Sequence, residues 1–185
     1  MNSFQKFWEF LKKDSFASWI VSLLLIFLLI KFVLFPLLSL LTGTTIPLVI
    51  VESCSMNHNS NFNSWWDQNG AWYENQGITK SEFEEFKMKN GFTKGDVILV
   101  SSAKNIKKGD IIIFTAGTQY PVIHRAISLS PIQTKGDNNL EQLSIEKSIS
   151  SDLVLGKAAG KIPLIGWVKL IFFEPFKTKS ERGLC

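Results

Sequence analysis

At 185 residues the chain has room for one ordinary domain with its own core. Its 45% apolar and 19% charged content, with a mean hydropathy of +0.13, exclude a disordered chain and stand high for a freely soluble one. The net charge of +4 sits at the ends: residues 1–41 carry +2, residues 42–160 carry −1 and residues 161–185 carry +3. A nucleic-acid-binding domain concentrates positive charge on its folded part to neutralise phosphates, so no nucleic-acid partner is expected.

From Trp19 to Leu41 the chain reads WIVSLLLIFLLIKFVLFPLLSLL, with Lys31 its one charge. Roughly 20 apolar residues in a helix cross a bilayer core. The Lys costs about 2.5–3.5 kcal/mol, and each Leu, Ile, Val or Phe returns about 0.3–0.6 kcal/mol, so insertion wins. Residues 19–41 are expected to be a transmembrane anchor kinked at Pro36, with 1–18 as a cytoplasmic N-terminal segment. The competing reading is a cleaved secretory signal, but signal cores run about 7–15 residues to a small-residue cleavage site, and no Ala-x-Ala follows here. Lys6, Lys12 and Lys13 precede the span, and after Lys31 the next basic residue is Lys80. The positive-inside bias then places the N-terminus in the cytoplasm of a cell-membrane protein, with the rest of the chain outside.

Residues 42–173 are expected to form an extracytoplasmic β-rich domain. Short β-branched runs at 45–52, 96–101, 110–115, 122–129 and 153–158 are bounded by Gly-Asp, Asn or Pro turns. No helices alternate with them, so the fold class expected is mainly β, an antiparallel barrel or sandwich. Residues 57–92 break the pattern with Trp65, Trp66, Trp72 and Tyr73, then Ser81-Glu82-Phe83-Glu84 in capping-box form and an Asn90-Gly91 stop. They are expected to be a small helical, Trp-rich insertion packed on the sheet, with an aromatic flap touching membrane or substrate as the alternative.

The second apolar stretch, Ile162–Phe173, is too short to span a membrane. It is expected to be a final strand, with an interfacial amphipathic segment as the alternative. Residues 174–185 form a basic tail suited to anionic lipid. Cys54 and Cys185 have neither Cys-x-x-Cys nor Cys/His ligand spacing. No metal or other cofactor is expected, and the two cysteines read as free thiols, a single long disulfide being the alternative.

Three short motifs carry chemistry. Glu52-Ser53-Cys54-Ser55-Met56 follows the first strand, where a small-residue turn exposes a hydroxyl and its N–H. His124 lies in the apolar strand Val122-Ile123-His124-Arg125-Ala126. Thr134-Lys135-Gly136-Asp137-Asn138-Asn139 reads as a turn. Singly these are a polar turn, a core His and a hairpin loop.

In that order the motifs resemble the type I signal peptidases, in the archaeal and endoplasmic-reticulum branch that uses His where bacterial relatives use Lys. The resemblance runs through Gly109-Asp110-Ile111-Ile112-Ile113-Phe114 to Gly160-Lys161-Ile162-Pro163-Leu164-Ile165-Gly166 and covers nearly all of residues 20–170 except the insertion. It implies a membrane-anchored serine endopeptidase that removes signal peptides from secretory precursors, with Ser55 as nucleophile, His124 as general base and Asp137 orienting His124. Ser53 and the Ser55 N–H would hold the oxyanion. A Ser hydroxyl needs a base within hydrogen-bond reach, and imidazole suits that task near neutral pH. His58, three residues from Ser55, is the competing base, and His58→Ala is expected to do little.

The chain departs from the family pattern at three places. Cys54 replaces the Gly between the two Ser residues. The further acid that the family carries six residues after the Gly-Asp-Asn-Asn Asp falls on Leu143, so Glu141 and Glu146 are alternative acids. The insertion follows the nucleophile directly. The expected partners are signal peptides, membrane lipid and accessory subunits. The rivals are a non-catalytic, membrane-anchored binding or assembly module and a self-cleaving protease of the SOS-repressor type. The second would need a Lys base.

Overall fold

The computed structural model describes residues 2–117, 120–179 and 182–185, so Ser180 and Glu181 of the expected tail lie outside the described residues. The chain divides into two compact units, Met1–Leu41 and Thr42–Cys185.

In the first unit the segment expected only to be cytoplasmic is itself helical. Helix α1 (Ser3–Leu11) carries Phe4, Phe7, Trp8 and Leu11 at the i, i+3, i+4, i+7 spacing of one face, with Phe4 and Trp8 stacked. Ser15 caps α2 (Phe16–Leu29) by accepting from the Ser18 N–H, and the Ser18 hydroxyl donates to the Leu11 carbonyl at 2.8 Å. Helix α2, a π-helical turn (Ile30–Leu34) and α3 (Phe35–Thr42) make one continuous apolar helix of 27 residues. At about 1.5 Å per residue that exceeds a hydrocarbon core of about 30 Å. Pro36 lacks an N–H and crowds the carbonyl four residues back. Just before it the Phe35 N–H reaches the Ile30 carbonyl, five residues back, so the ladder accommodates Pro36 as a π turn.

The second unit is built on one antiparallel sheet. Its strands are β1 (Leu48–Ile50), β2 (Val97–Ser101), β3 (Ile111–Phe114), β4 (Val122–Leu129), β5 (Ile132–Lys135) and β6 (Val154–Ile162), in spatial order β1-β2-β6-β3-β4-β5. The expected barrel does not close among the described residues. The edge strands β1 and β5 hold three and four residues and do not pair with each other. Strand β3 is buried on both faces. Ile111 and Ile113 pack with Met56, Phe92, Ile98 and Val100, while Ile112 and Phe114 pack with Ala126, Ile149 and Val154. A strand covered on both sides has no polar alternation, hence the run Ile-Ile-Ile-Phe.

Both Gly-Asp turns use the same device. Gly95 and Gly109 take φ of 91° and 89°, where a Cβ would strike the Trp167 and Phe86 rings. The carboxylates of Asp96 and Asp110 accept the N–H groups of Thr93 and Lys107 at 3.1 and 2.9 Å.

The insertion supplies α4 (Phe62–Asn75) and α5 (Lys80–Glu84). Trp65, Trp66, Tyr73, Ile78 and Phe83 form an aromatic cluster that packs on Ile127 of β4. The cap of α5 is Thr79 rather than Ser81, its hydroxyl accepting from the Glu82 N–H. The helix stops well before Asn90-Gly91, and Met88, at φ 53°, cannot continue it.

The strand expected over 162–173 is replaced by a turn and helix α6 (Trp167–Phe173). Pro163 cannot donate to a ladder, and the Gly166 N–H leaves the sheet for the Gly95 carbonyl at 2.8 Å. Leu170 is buried one helical turn after Trp167, whose indole N–H donates to the Lys94 carbonyl at 3.1 Å. Leu164, Ile165, Val168, Ile171, Phe172, Phe173 and Phe176 are left exposed.

The cysteines are not free thiols: Cys54 and Cys185, 131 residues apart, form a disulfide. Their spacing carries no signal, because the charges around them bring the ends together. Glu52 pairs with Lys169 at 3.0 Å and Lys177 at 3.3 Å, and buried Lys94 pairs with Glu174 at 2.9 Å. The described part of the basic tail thereby folds back beside the loop after β1.

Candidate active site

Strand β1 delivers a loop whose backbone is held at several points. The Gly95 N–H donates to the Val51 carbonyl at 2.9 Å, and the Phe92 N–H to the Met56 carbonyl at 2.8 Å. Met56 is buried and anchors the loop in the core. From the other side Asn138 grips it twice. Its N–H donates to the Ser55 carbonyl at 2.7 Å and its side-chain amide to the Cys54 carbonyl at 3.1 Å. The hydroxyls of Ser53 and Ser55 lie 3.1 Å apart.

His124 stands on β4 opposite Ile112 of β3. Strand alternation puts it on the face shared with Ala126 and Thr134, while Arg125 and Lys135, paired across β4 and β5, take the other face. The His124 Nε2 lies 2.9 Å from the Ser55 Oγ and its Nδ1 2.5 Å from the Glu146 Oε1. Glu146 ends a 3₁₀ turn (Ser144–Glu146) and is fully buried. Its Oε1 also accepts from the Thr134 hydroxyl at 2.9 Å and its Oε2 from the Leu143 N–H at 2.8 Å. Gly136 sits against this arrangement, where a Cβ would come within 2.8 Å of the His124 Nε2.

Asp137 does not reach His124, and here the structure departs from the expected arrangement. Asp137 faces Arg125, which lies fully buried on the opposite side of β4, with Nη2 at 2.6 Å and Nε at 2.9 Å. Arg125 also donates to the carbonyls of Gly109, Lys87 and Met88 and lies over the Phe83 ring. The Tyr73 hydroxyl donates to Asp137 at 3.0 Å, and the His58 Nε2 lies 3.0 Å from it. Burial works against the charge, but Arg125 and the hydrogen bonds from His58 and Arg125 outweigh it and hold Asp137 far below the usual carboxylate range. His58, the competing base, is stacked on Trp65 at 3.7 Å and turned to Asp137. Glu141 accepts from the Trp72 indole at 3.1 Å and so faces the insertion. Of the candidate residues, Ser53, Ser55, His124 and Glu146 come together, and Asp137 and Glu141 lie elsewhere. The sequence alone assigns no role to Thr134 or Asn138. The alternation that puts Thr134 on the His124 face is the signal that points to it.

Lys135 is buried between the Trp72 and Tyr73 rings, its Nζ 5.0 Å from each centroid, and donates to the Gly136 carbonyl at 3.1 Å. Burial pushes its pKa down from 10.5 to about 8. The folded chain therefore binds fewer protons there than the unfolded chain between those values, and stability rises with pH across that window. Tyr73, pushed up by burial and then by Asp137, opposes this only above its ordinary pKa of 10. Denaturant midpoints are expected to rise by an amount worth about 1–2 kcal/mol from about pH 8 to about pH 9.5, and Lys135→Met should flatten the rise.

Among the described residues no group of three or more His, Cys, Asp and Glu side chains is placed to hold a metal ion. No protein-family model matches the chain. The chain is similar to the signal peptidase complex catalytic subunit Sec11 of Dictyostelium discoideum, 27% identical over 97 residues, which cover 45% of this chain and 54% of that protein. The chain thus spans about half the length of the curated relative it matches. The likeness supports a distant kinship with the signal peptidases at the level of the family, not of a branch within it.

Proposed function

We propose that the chain is a membrane-anchored serine endopeptidase that cleaves signal peptides from secretory precursors, of the branch that pairs Ser with His. The observation that carries this reading is the line from Ser55 Oγ through both nitrogens of His124 to Glu146. A carboxylate at Glu146 can only accept, so His124 Nδ1 carries the hydrogen and Nε2 keeps its lone pair toward Ser55. As Ser55 Oγ attacks the scissile carbonyl, its proton passes to Nε2, and the resulting imidazolium is stabilised by Glu146. The Ser53 hydroxyl, 3.1 Å from that of Ser55, and the Ser55 N–H are the donors this reading assigns to the developing oxyanion. His124 then protonates the leaving amine, and water hydrolyses the acyl-Ser55 ester by the same steps in reverse. Glu146 does here what Asp137 was expected to do, and it removes the main support for a non-catalytic module, the missing acid at Leu143.

Helix Phe16–Thr42 is the anchor, and the positive-inside bias puts the N-terminus in the cytoplasm of the cell membrane. The exposed apolar residues from Leu164 to Phe176, with Lys169 among them and Lys177 directly after, suit the headgroup boundary where a translocating precursor emerges. The reading is tested on the detergent-solubilised full chain. It should cleave a model precursor and take up a fluorophosphonate on the peptide containing Ser55. A folded protein that does neither overturns it.

A further inference from the structure

Asp137 and Asn138 are consecutive, and they face opposite ways. The Asp137 carboxylate is buried among donors, while Asn138 holds the Ser55 and Cys54 carbonyls. The Asp137 N–H also points at Met56 Sδ, 3.4 Å away. Whatever fixes the carboxylate therefore fixes the residue that grips the nucleophile. Arg125 supplies part of that fixing from the sheet. The remainder comes from the insertion: the Tyr73 hydroxyl from α4, and His58 from the lead into α4. His58 is itself set by its stack on Trp65, and its side chain is 1% exposed. The Tyr73 ring is wedged against Trp65, Trp66 and Phe83. A side chain held on several sides in a rigid aromatic cluster has one position to offer, and it passes that position on.

We propose that the aromatic insertion positions the nucleophile, with Tyr73 and His58 acting as positioning residues through Asp137 and Asn138. The proposal rests on the serine-peptidase reading and assigns the insertion a part in that same site. Neither residue touches the reacting atoms. Both keep the Ser55 carbonyl in place, so the hydroxyl meets His124 at attack distance and the Ser55 N–H keeps its aim. Small misplacements at such a centre are costly in rate while leaving substrate affinity alone.

Tyr73→Phe removes only the donor to Asp137, and His58→Phe removes that donor while keeping an aromatic ring, a larger one, to stack on Trp65. Each is expected to lower kcat about tenfold with KM unchanged, and to slow fluorophosphonate labelling of Ser55 by the same factor, which revises the small effect expected at His58 from sequence, where its contact with Asp137 is not visible. His58→Gln returns an N–H donor without a ring, and should recover more of kcat than His58→Phe. A purely structural role would instead lower the thermal midpoint in step with activity and would not be rescued by Gln. The Asn138 N–H, bonded to the Ser55 carbonyl, gives a readout independent of turnover. Its protection from hydrogen exchange should fall in both Phe variants while β3 amides keep theirs. Wild-type kcat together with wild-type Asn138 protection in the folded variants would overturn the proposal. If the wild type itself neither cleaves nor labels, the peptidase reading fails, and Asn138 protection alone decides whether the insertion governs this loop.

Discussion

Glu146→Gln is expected to lower kcat for precursor cleavage by about 10⁴-fold with little change in KM, the size of effect that follows when a triad carboxylate becomes an amide. The reason lies in what surrounds the side chain. The Leu143 N–H donates to Oε2 and requires an acceptor there, so the Gln oxygen takes that place. The Gln NH₂ then falls where Oε1 was, facing His124 Nδ1 and the Thr134 hydroxyl. His124 must accept at Nδ1, its hydrogen moves to Nε2, and the nitrogen facing Ser55 no longer takes a proton. The hydroxyl of Thr134 can rotate to accept, so the change is absorbed without unfolding. Steady-state kinetics on the folded variant check this. A kcat within about tenfold of wild type would remove Glu146 from the mechanism.

Asp137→Asn is expected to act first on stability, costing about 3–5 kcal/mol, because it leaves Arg125 buried without its counter-ion. The new NH₂ would also face donors whichever oxygen it replaces, Arg125 Nε and the Tyr73 hydroxyl at Oδ1 or Arg125 Nη2 and His58 at Oδ2. The pH dependence distinguishes this from ordinary packing loss. Folding depresses the Asp137 pKa, so its contribution is complete above the unfolded value of about 4 and is lost as pH falls below it. Wild-type denaturant midpoints should therefore decline on acidification below about pH 4, and Asp137→Asn should lose that part of the decline. Replacing both partners, in Arg125→Met with Asp137→Leu, leaves no buried charge but strips the Tyr73 hydroxyl, His58 and the Gly109, Lys87 and Met88 carbonyls of these partners, so it should recover only part of the loss.

The sequence was most legible where a local rule decides the outcome. The runs at β2, β3 and β4 declare strands by composition, and the Gly-Asp turns declare the starts of β2 and β3. It was least legible where the deciding partner is remote. Strand β5 passes for loop because Ile132 is the one apolar residue among its four and the polar run continues into Gly136. Helix α6 passes for strand because Ile, Leu, Val and Phe suit both, and only the burial of Leu170 one turn after Trp167 sets the period. The acid beside His124 was misplaced for a similar reason. Counting residues from Asp137 lands on Leu143, but the chain folds back in a 3₁₀ turn closed by Glu146 on the Leu143 N–H, which brings a carboxylate three residues further on to the imidazole. The disulfide was open only as the alternative to free thiols, since no spacing rule links Cys54 to Cys185.

The back-to-back placement of His124 and Arg125 has a consequence for how the strand finds its place. Neighbouring residues on β4 serve opposite sides of the sheet, an imidazole for Ser55 and a guanidinium for Asp137. A slip of β4 by one residue would turn Arg125 toward the side bearing Thr134 and offer His124 to the other. Apolar neighbours such as Ile123 and Ile127 tolerate exchange with other apolar residues, so they discriminate weakly between adjacent pairings. A buried charge with one counter-ion does not tolerate it. The ion pair therefore acts as a selector among nearly equivalent strand alignments, raising the energy of misfolded competitors more than it lowers that of the native chain.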